Sequence, residues 1–246
     1  MRQRLANRLR RSFGLRQFPE KVGAGIVPWL SGNGLRTRLL FNPMRDPSVR
    51  TEMLTANVVR FAADGSTLNE WQLTIPPSAV LAFNLPIEEG ESISCGYCWI
   101  REIGSGRLIS PLQTHFQVSG PETFAKTHGR AKGVVMFPPA GIADGIVRAL
   151  DPWPYNASTV QTRDIALRQG ALLINVSNRA GRFRAHYDGI AGQDFIIPAH
   201  GSRLVWSSQS AASIFSFLGS APFTFYIVMS RQNGTALTLQ HIQDAF

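Results

Sequence analysis

The chain repeats one order of sequence signals twice. Each copy has a Leu-Leu-x-Asn strand signal, an aromatic-ended strand signal, an Asp-Gly turn, an Ile-Pro pair and two further strand signals. In the first copy these signals are Leu39–Asn42, the run ending at Phe61, Asp64-Gly65, Ile75-Pro76, Leu81 with Phe83, and the strand starting at Tyr97. In the second copy they are Leu172–Asn175, Phe183–Tyr187, Asp188-Gly189, Ile197-Pro198, Leu204–Trp206 and Tyr226–Met229. A duplicated module usually provides a scaffold and a recognition surface rather than a catalytic centre.

Strand signals dominate both copies. Short β-branched and aromatic runs alternate with Gly, Pro, Asn and Asp, which is typical of antiparallel strands joined by tight turns. We expect each copy to close with a late hairpin, at Gly104-Ser105-Gly106 and at Asn233-Gly234. The pattern predicts an all-β fold of two tandem antiparallel β-sandwich modules. Helix is expected only at the N-terminus and in a short piece at Ile142–Leu150.

The module boundaries follow from apolar opening strands that end in proline, near Pro28 and near Pro138-Pro139. A chain of 246 residues is long enough for two modules of ordinary size. Long insertions within compact domains are often functional. The predicted division is a tail at 1–21, module one at 22–118, a linker at 119–132 containing Gly120-Pro121, and module two at 133–246 with an insertion at 138–169.

The positive charge is concentrated in the predicted tail. Residues 1–21 hold seven basic side chains and one acidic one, so they carry +6 of the net charge of +9. The body is close to neutral and offers no predicted basic groove that could follow phosphates, which argues against nucleic acid as the partner. A hydrophobic fraction of 44% and a charged fraction of 17% indicate a folded chain. No apolar run approaches the roughly 20 residues of a membrane-spanning helix.

The tail has helical periodicity, because Met1, Leu5, Leu9 and Phe13 recur every four residues while arginines fall mainly on the other side. It predicts a short basic amphipathic helix that orders only when its apolar stripe meets a partner. An anionic membrane surface, a groove on a partner protein and a frayed solvated terminus all remain open. The predicted contact residues are Arg2, Arg4, Leu5, Arg8, Leu9, Arg10, Arg11, Phe13 and Arg16.

Arg10-Arg11-Ser12-Phe13 resembles the start of a twin-arginine export signal. The apolar stretch that follows, Val22–Leu30, is short, contains Pro28 and lacks a small-residue cleavage site, which argues against export.

Cys95 and Cys98 are the only cysteines, and their flanks predict a strand, in which residues three apart face opposite sides. We therefore expect two free thiols and a cytoplasmic location, on the cytoplasmic face of the membrane.

Signals for chemistry are weak. The five histidines have no metal-ligand spacing, and no nucleophile-elbow, phosphate-loop or dinucleotide motif occurs. Glu88-Glu89-Gly90-Glu91 lacks the alternating oxygen ligands of a calcium loop and is better interpreted as a solvated turn. We therefore predict a protein that is not an enzyme, with no catalytic residue, metal or cofactor.

Two residue groups on the body are candidates for ligand or partner contact. Trp153 and Tyr155 are flanked by prolines that hold the chain extended, so both rings could be displayed; packing of the loop against the sandwich is the alternative. Arg179, Arg182 and Arg184 form a second basic cluster, which predicts either a solvated face or a surface for an acidic partner.

The repeated order of signals resembles the β-sandwich of the sensory rhodopsin transducer family and related bacterial sandwich repeats. The residues that carry the resemblance are Leu39–Asn42, Asp64-Gly65 and Leu73–Leu85, with Leu172–Asn175, Asp188-Gly189 and Ile196–Trp206 in the second copy. The resemblance implies a non-enzymatic soluble protein that docks on a membrane protein or another partner. Together with the tail, it predicts a peripheral accessory or adaptor subunit, on an anionic membrane surface or an integral membrane protein complex. A carbohydrate-binding module is the first alternative and a nucleic-acid-associated protein the second.

Overall fold

The computed structural model describes residues 24–43, 53–77, 79–90, 92–103, 112–121, 124–128, 152–160, 167–207, 214–231 and 237–245. The predicted N-terminal helix, the predicted helix at Ile142–Leu150 and the strand expected before Pro138 lie outside these residues. Within them the protein is all-β, with sixteen strands and no helix.

Each half of the described chain contributes eight strands. The first half contains β1 (Ala24–Ser31), β2 (Arg36–Asn42), β3 (Leu54–Phe61), β4 (Thr67–Ile75), β5 (Leu81–Asn84), β6 (Ser94–Ile103), β7 (Gln113–Ser119) and β8 (Phe124–His128). The second half contains β9 (Tyr155–Val160), β10 (Leu167–Asn175), β11 (Gly181–Tyr187), β12 (Ile190–Ile197), β13 (Ser202–Trp206), β14 (Ile214–Gly219), β15 (Phe223–Arg231) and β16 (Leu237–Ala245).

The strand order repeats between the halves. The first half forms the antiparallel sheets β1-β6-β3-β4 and β5-β2-β7-β8, and the second forms β9-β14-β11-β12 and β13-β10-β15-β16. Every strand of the first half therefore has its counterpart eight strands later. Ile75 and Ile197 end the corresponding strands β4 and β12, and each is fully buried. The repeated Ile-Pro signal thus marks the same place in both halves.

The two Leu-Leu-x-Asn strands turn leucines at different positions of the motif toward the core of their own half. Leu39 is paired with Phe83, whose ring meets Trp71 of the other sheet of its own half edge to face at 5.1 Å. Leu172, at the matching sequence position, packs into the core that the first half supplies, whereas Leu173 packs into the core of the second half. Because side chains alternate along a strand, an offset of one residue exchanges the two faces.

Both Asp-Gly turns are present as the sequence predicts. Asp64-Gly65 joins β3 to β4, and the Asp64 carboxylate accepts hydrogen bonds from the Ser66 amide at 2.9 Å and hydroxyl at 2.6 Å. Asp188-Gly189 forms the two-residue loop between β11 and β12, with φ angles of 50° and 81°. Positive φ at both loop residues is the conformation that favours this dipeptide in tight hairpins.

Part of the predicted linker forms a strand. Residues 124–128 of the predicted linker form β8, which pairs with β7 across the turn that contains Gly120-Pro121. The hairpin expected at Gly104-Ser105-Gly106 lies outside the described residues, and the strands described on either side of it, β6 and β7, belong to different sheets. A glycine-proline pair marks a hairpin turn as readily as a linker, and sequence alone does not separate the two. In the second half β15 and β16 do form a hairpin, although its turn lies outside the described residues.

The structure also differs from the sequence-based expectations for the insertion and for one pair of matched strands. The predicted insertion at 138–169 contains β9, the edge strand of its sheet, whose alternating half-buried and exposed residues give it little apolar signal. The strand starting at Tyr97 is β6, whose counterpart is β14, whereas Tyr226 lies on β15, the counterpart of β7. The expected match between the Tyr97 and Tyr226 strands is therefore wrong.

One sheet joins two hydrophobic cores. The outward face of β13-β10-β15-β16, with Leu172, Ile174 and Tyr226, packs into the core formed by the first half. Its other face, with Leu173 and Phe225, packs with strands β11 and β14 into a second core. The Tyr226 ring meets Phe116 of β7 edge to face at 5.8 Å, and its hydroxyl donates to the Ile26 carbonyl at 3.2 Å. Burial of this area stabilises the contact between the halves.

The turn after β3 also contacts the second half. The Ser202 amide donates to the Ala63 carbonyl at 2.9 Å. The His200 ring stacks on Phe61 at 5.1 Å, and its Nδ1 lies 3.3 Å from the Tyr97 hydroxyl. Burial lowers the pKa of His200, so the neutral ring is favoured here.

Candidate functional site

Trp153 meets two of the three predicted arginines. Along β11, Phe183 and Ala185 face the second core, so Arg182 and Arg184 point outward. The sheet order β12-β11-β14-β9 brings the segment before β9 across to them. The guanidinium carbons of Arg182 and Arg184 lie 5.5 Å and 5.0 Å from the Trp153 ring centroid, within the range of cation–π attraction. Two candidate groups predicted separately thus form one surface.

Asp194 on β12 completes this surface, which we call the Trp153–arginine face (Trp153, Arg182, Arg184, Asp194). Arg184 donates from Nη2 to the Asp194 carboxylate at 3.0 Å and also from Nε, and Arg182 donates from Nη2. The hydrogen bonds from Arg184, followed by those from Arg182, lower the pKa of Asp194 to about 2. One carboxylate shared by two guanidinium groups leaves a positive charge, and the Arg182 side chain is 62% exposed.

A β-bulge in β12 determines which residue lies opposite Arg184. If β11 and β12 paired without interruption from the Asp188-Gly189 loop, Gln193 would lie opposite Arg184. The register shifts by one residue between Arg184 and His186, so Asp194 lies opposite Arg184 instead. Sequence reasoning missed Asp194 because a single-residue bulge leaves no clear signal in the residues around it.

The other two predicted contact residues have different surroundings. Arg179 lies in the turn between β10 and β11, where its Nη2 donates to the Ser220 carbonyl at 3.2 Å and its own carbonyl accepts from Asn175 and Ser177. Tyr155 packs at the margin of the second core. Trp153 and Tyr155 are both half-buried.

A cleft opens between the edge strands β12 and β13, next to the Trp153–arginine face. It has a volume of about 430 Å³, within the usual range of small-molecule sites. The residues that line it include Tyr187, Phe195, Trp206 and the bulged Gly192, although the Trp206 ring itself packs against the core of the first half. Burial raises the pKa of Tyr187 to about 12, so the phenol stays protonated. Sequence analysis did not find this cleft, because it arises from the meeting of two sheet edges.

Arg203 is the one arginine among the described residues that line the cleft, and its guanidinium carbon lies 5.0 Å from the Phe195 ring centroid. The guanidinium carbon of Arg168 lies 4.6 Å from the Trp206 ring centroid, on the face of the sheet that is turned toward the first half. Both arginines are exposed and have no carboxylate partner among the described residues. Asp194 also lines the cleft, but its carboxylate is held by Arg182 and Arg184.

The predicted acidic loop has a structural role. Glu88 places its Oε1 3.1 Å from Nη2 of Arg60, whose side chain is only 1% exposed. Arg60 lies opposite Cys98 in the pairing of β3 with β6. Both cysteines are free, and burial raises the pKa of Cys98 to about 12, so its thiol is unreactive at neutral pH.

The tail residues from Arg2 to Arg16 lie outside the described residues. Among the described residues, no group of three or more His, Cys, Asp or Glu side chains could hold a metal ion, and no helix is long and apolar enough to cross a membrane. No family model matches the chain, and no curated protein matches it.

Proposed function

We propose that this protein is a non-enzymatic adaptor that binds an acidic surface of a partner protein through its Trp153–arginine face. The observation that carries the proposal is the convergence of Arg182 and Arg184 on one half-buried indole. In this proposal the two halves are tandem β-sandwich modules that act as a rigid scaffold, as in the transducer-like repeats that the sequence resembles.

The chemistry of the face supports an acidic partner. An indole with two guanidinium groups over its ring combines apolar contact area with fixed hydrogen-bond donors, residue types that are enriched at the energetic centres of protein interfaces. Arginine forks pair with carboxylates in bidentate geometry. Asp194 already demonstrates this pairing within the chain, since Arg184 contacts it through Nε and Nη2. A partner carboxylate would pair with the exposed guanidinium of Arg182.

The tail supplies the second element of the proposal. A segment of charge +6 with an apolar stripe favours an anionic membrane surface, at about 1 kcal/mol for each basic residue near that surface. The tail would hold the protein reversibly at the cytoplasmic membrane face, where the Trp153–arginine face meets an integral membrane protein complex. This arrangement is the peripheral accessory role predicted from the sequence.

The test of the face uses a defined acidic probe, a peptide of ten glutamates, added to the full-length protein at low salt. The Trp153 indole N–H signal is followed by NMR in the parent protein, in R182Q/R184Q and in R36Q/R38Q, which removes two exposed arginines of a different sheet. We expect saturable shifts in the parent and in R36Q/R38Q, and a loss of at least tenfold in affinity in R182Q/R184Q. Equal binding by all three proteins would remove the face from the proposal.

A further inference from the structure

The two arginines of the Trp153–arginine face hold Asp194 unequally. Arg184 reaches both carboxylate oxygens, because its Nε donates to Oδ1 and its Nη2 donates to Oδ2 at 3.0 Å. Arg182 reaches only Oδ2, through Nη2. The Arg184 side chain is 32% exposed, whereas that of Arg182 is 62% exposed. Arg184 is therefore the bidentate partner of Asp194, and Arg182 is the guanidinium that a second molecule reaches first.

Asp194 lies where the carboxylate of an acidic partner would lie. Its Oδ2 accepts hydrogen bonds from both guanidinium groups, and the hydrogen bond from Arg184 keeps its pKa well below neutrality, so it is charged. A carboxylate on the neighbouring strand of the same chain meets Arg182 at a high effective concentration. An acidic segment that pairs with Arg182 must therefore displace Asp194 or bind beside its negative charge, and both weaken binding.

The surroundings leave Asp194 as the one described acid on this surface. Ile196, which is 66% exposed, lies directly opposite Arg182 on β12 and adds apolar area but no charge. The only other acid described in this sheet is Asp188, in the hairpin loop. It is four residues from Arg184 along the chain, about 13 Å away at the rise of an extended strand. The two acids thus belong to one sheet, but only Asp194 contacts the arginines.

We propose that Asp194 is an internal competitor for the acidic partner, and that the partner binds by exchanging one of its carboxylates for Asp194 at Arg182. Arg184 keeps Asp194 during this exchange, because it holds both carboxylate oxygens. The exchange makes binding weaker and more readily reversible than two unoccupied arginines would allow. This inference rests on the proposed adaptor function and describes the regulation of the same face.

The first test titrates the peptide of ten glutamates into full-length D194N at low salt, with the Trp153 indole N–H signal followed by NMR. We expect D194N to bind about tenfold more tightly than the parent, because the asparagine no longer competes for a charge-assisted pair. D188N is the matched control. It removes one negative charge from the same sheet and keeps a favourable hairpin dipeptide, Asn-Gly, so its affinity should change less than about twofold.

The second test separates competition from a positioning role of Asp194. In R184Q, Asp194 pairs with Arg182 alone, so the affinity for the peptide should fall at least about tenfold. In R184Q/D194N, Arg182 is left without a competitor, and the affinity should return to within about threefold of the parent. R184Q/D188N has the same net charge as R184Q/D194N and should bind as weakly as R184Q. Thermal unfolding checks that each variant is folded.

The outcomes distinguish this inference from the function on which it rests. A parent protein that does not bind the peptide would overturn both. If R182Q/R184Q loses binding while D194N binds no more tightly than the parent, the function stands and the competition is overturned. The competition is also overturned if R184Q/D194N binds as weakly as R184Q, since Asp194 would then only position the arginines, or if R184Q/D188N restores binding equally.

Discussion

The guanidinium carbon of Arg60 lies over the indole ring of Trp29, 4.0 Å from its centroid, and the Arg60 side chain is only 1% exposed. Burial lowers the pKa of Arg60, and the nearby Glu88 carboxylate opposes that shift. The first half therefore contains a buried cation that depends on one carboxylate, which is itself 42% exposed.

Replacing Glu88 by Gln should lower the free energy of unfolding by about 1–2 kcal/mol, because it leaves Arg60 buried without a counter-charge. This figure is below the usual value for a broken buried pair, since water screens the exposed Glu88. Urea denaturation measures the change, with Glu89→Gln as the control in the same loop. The double variant E88Q/R60M should recover part of the loss, and a double variant less stable than E88Q would contradict this account.

Gly65 and Gly189 form a matched pair that tests the contact between the halves. Their φ angles are 85° and 81°, so alanine adds similar backbone strain at both, about 1 kcal/mol. A Cβ at Gly65 would lie 1.9 Å from the Ala199 carbonyl oxygen of the second half, whereas a Cβ at Gly189 meets nothing within 4 Å. Thermal unfolding should show a much larger loss for G65A than for G189A. Equal losses would mean that the Ala199 contact does not form in solution.

Asn175 and its repeat partner Asn42 should differ in their effect on stability. The Asn175 amide is fully buried and donates to the carbonyls of Arg179 at 2.7 Å and Pro198 at 2.8 Å, while its oxygen accepts from Ser177. Asn175→Ala should cost about 2–4 kcal/mol, since several buried groups lose their partners together. Asn42 is only half-buried, and Asn42→Ala should cost less than about 1 kcal/mol. Urea denaturation compares the two, and equal costs would contradict the role assigned to Asn175.

Asp194 gives the protein an acid-sensitive contact. Because the folded-state pKa of Asp194 is lowered from 3.8 to about 2, chiefly by Arg184, its contribution to stability is complete above about pH 4 and is lost as the pH falls towards 2. The difference in melting temperature between the parent and D194N should therefore be constant from pH 7 to about pH 4.5 and shrink below pH 4. A difference that persists unchanged to pH 2 would show that the carboxylate is not held as described. Glu70→Gln, at an exposed strand position, serves as the control.

The parts of the fold that depend on neighbouring residues could be predicted from the sequence. The Asp64-Gly65 and Asp188-Gly189 turns depend on backbone conformations that these residue types favour, and the Ile75 and Ile197 strand ends follow from a repeated apolar-proline pair. The duplication itself could be predicted because order along the chain survives in the sheet order. Which side of each repeated strand points to the core of its own half could not be predicted from the sequence, because Leu172 and Leu173 are equally apolar and only packing decides between them.

The candidate sites depend on contacts between distant residues, so only part of them could be predicted. Trp153 and Arg184 each stand out in the sequence, but Trp153 precedes β9 and Arg184 lies on β11, and no local pattern reveals that β14 lies between those two strands. Asp194 faces Arg184 only because of a bulge. The cleft needs β12 and β13 to lie at the edges of two different sheets, which a sequence pattern cannot specify.

The measurement that tests the adaptor proposal most directly is co-sedimentation of the full-length protein with lipid vesicles that contain about 30 mol% phosphatidylglycerol in phosphatidylcholine. The account predicts that the protein sediments with these vesicles at low salt, stays in solution with neutral vesicles, and is released at about 0.5 M salt. The full-length variant R4Q/R8Q/R10Q/R11Q should remain in solution with both. Equal sedimentation of parent and variant, or a parent that stays in solution with anionic vesicles, would contradict attachment through the tail.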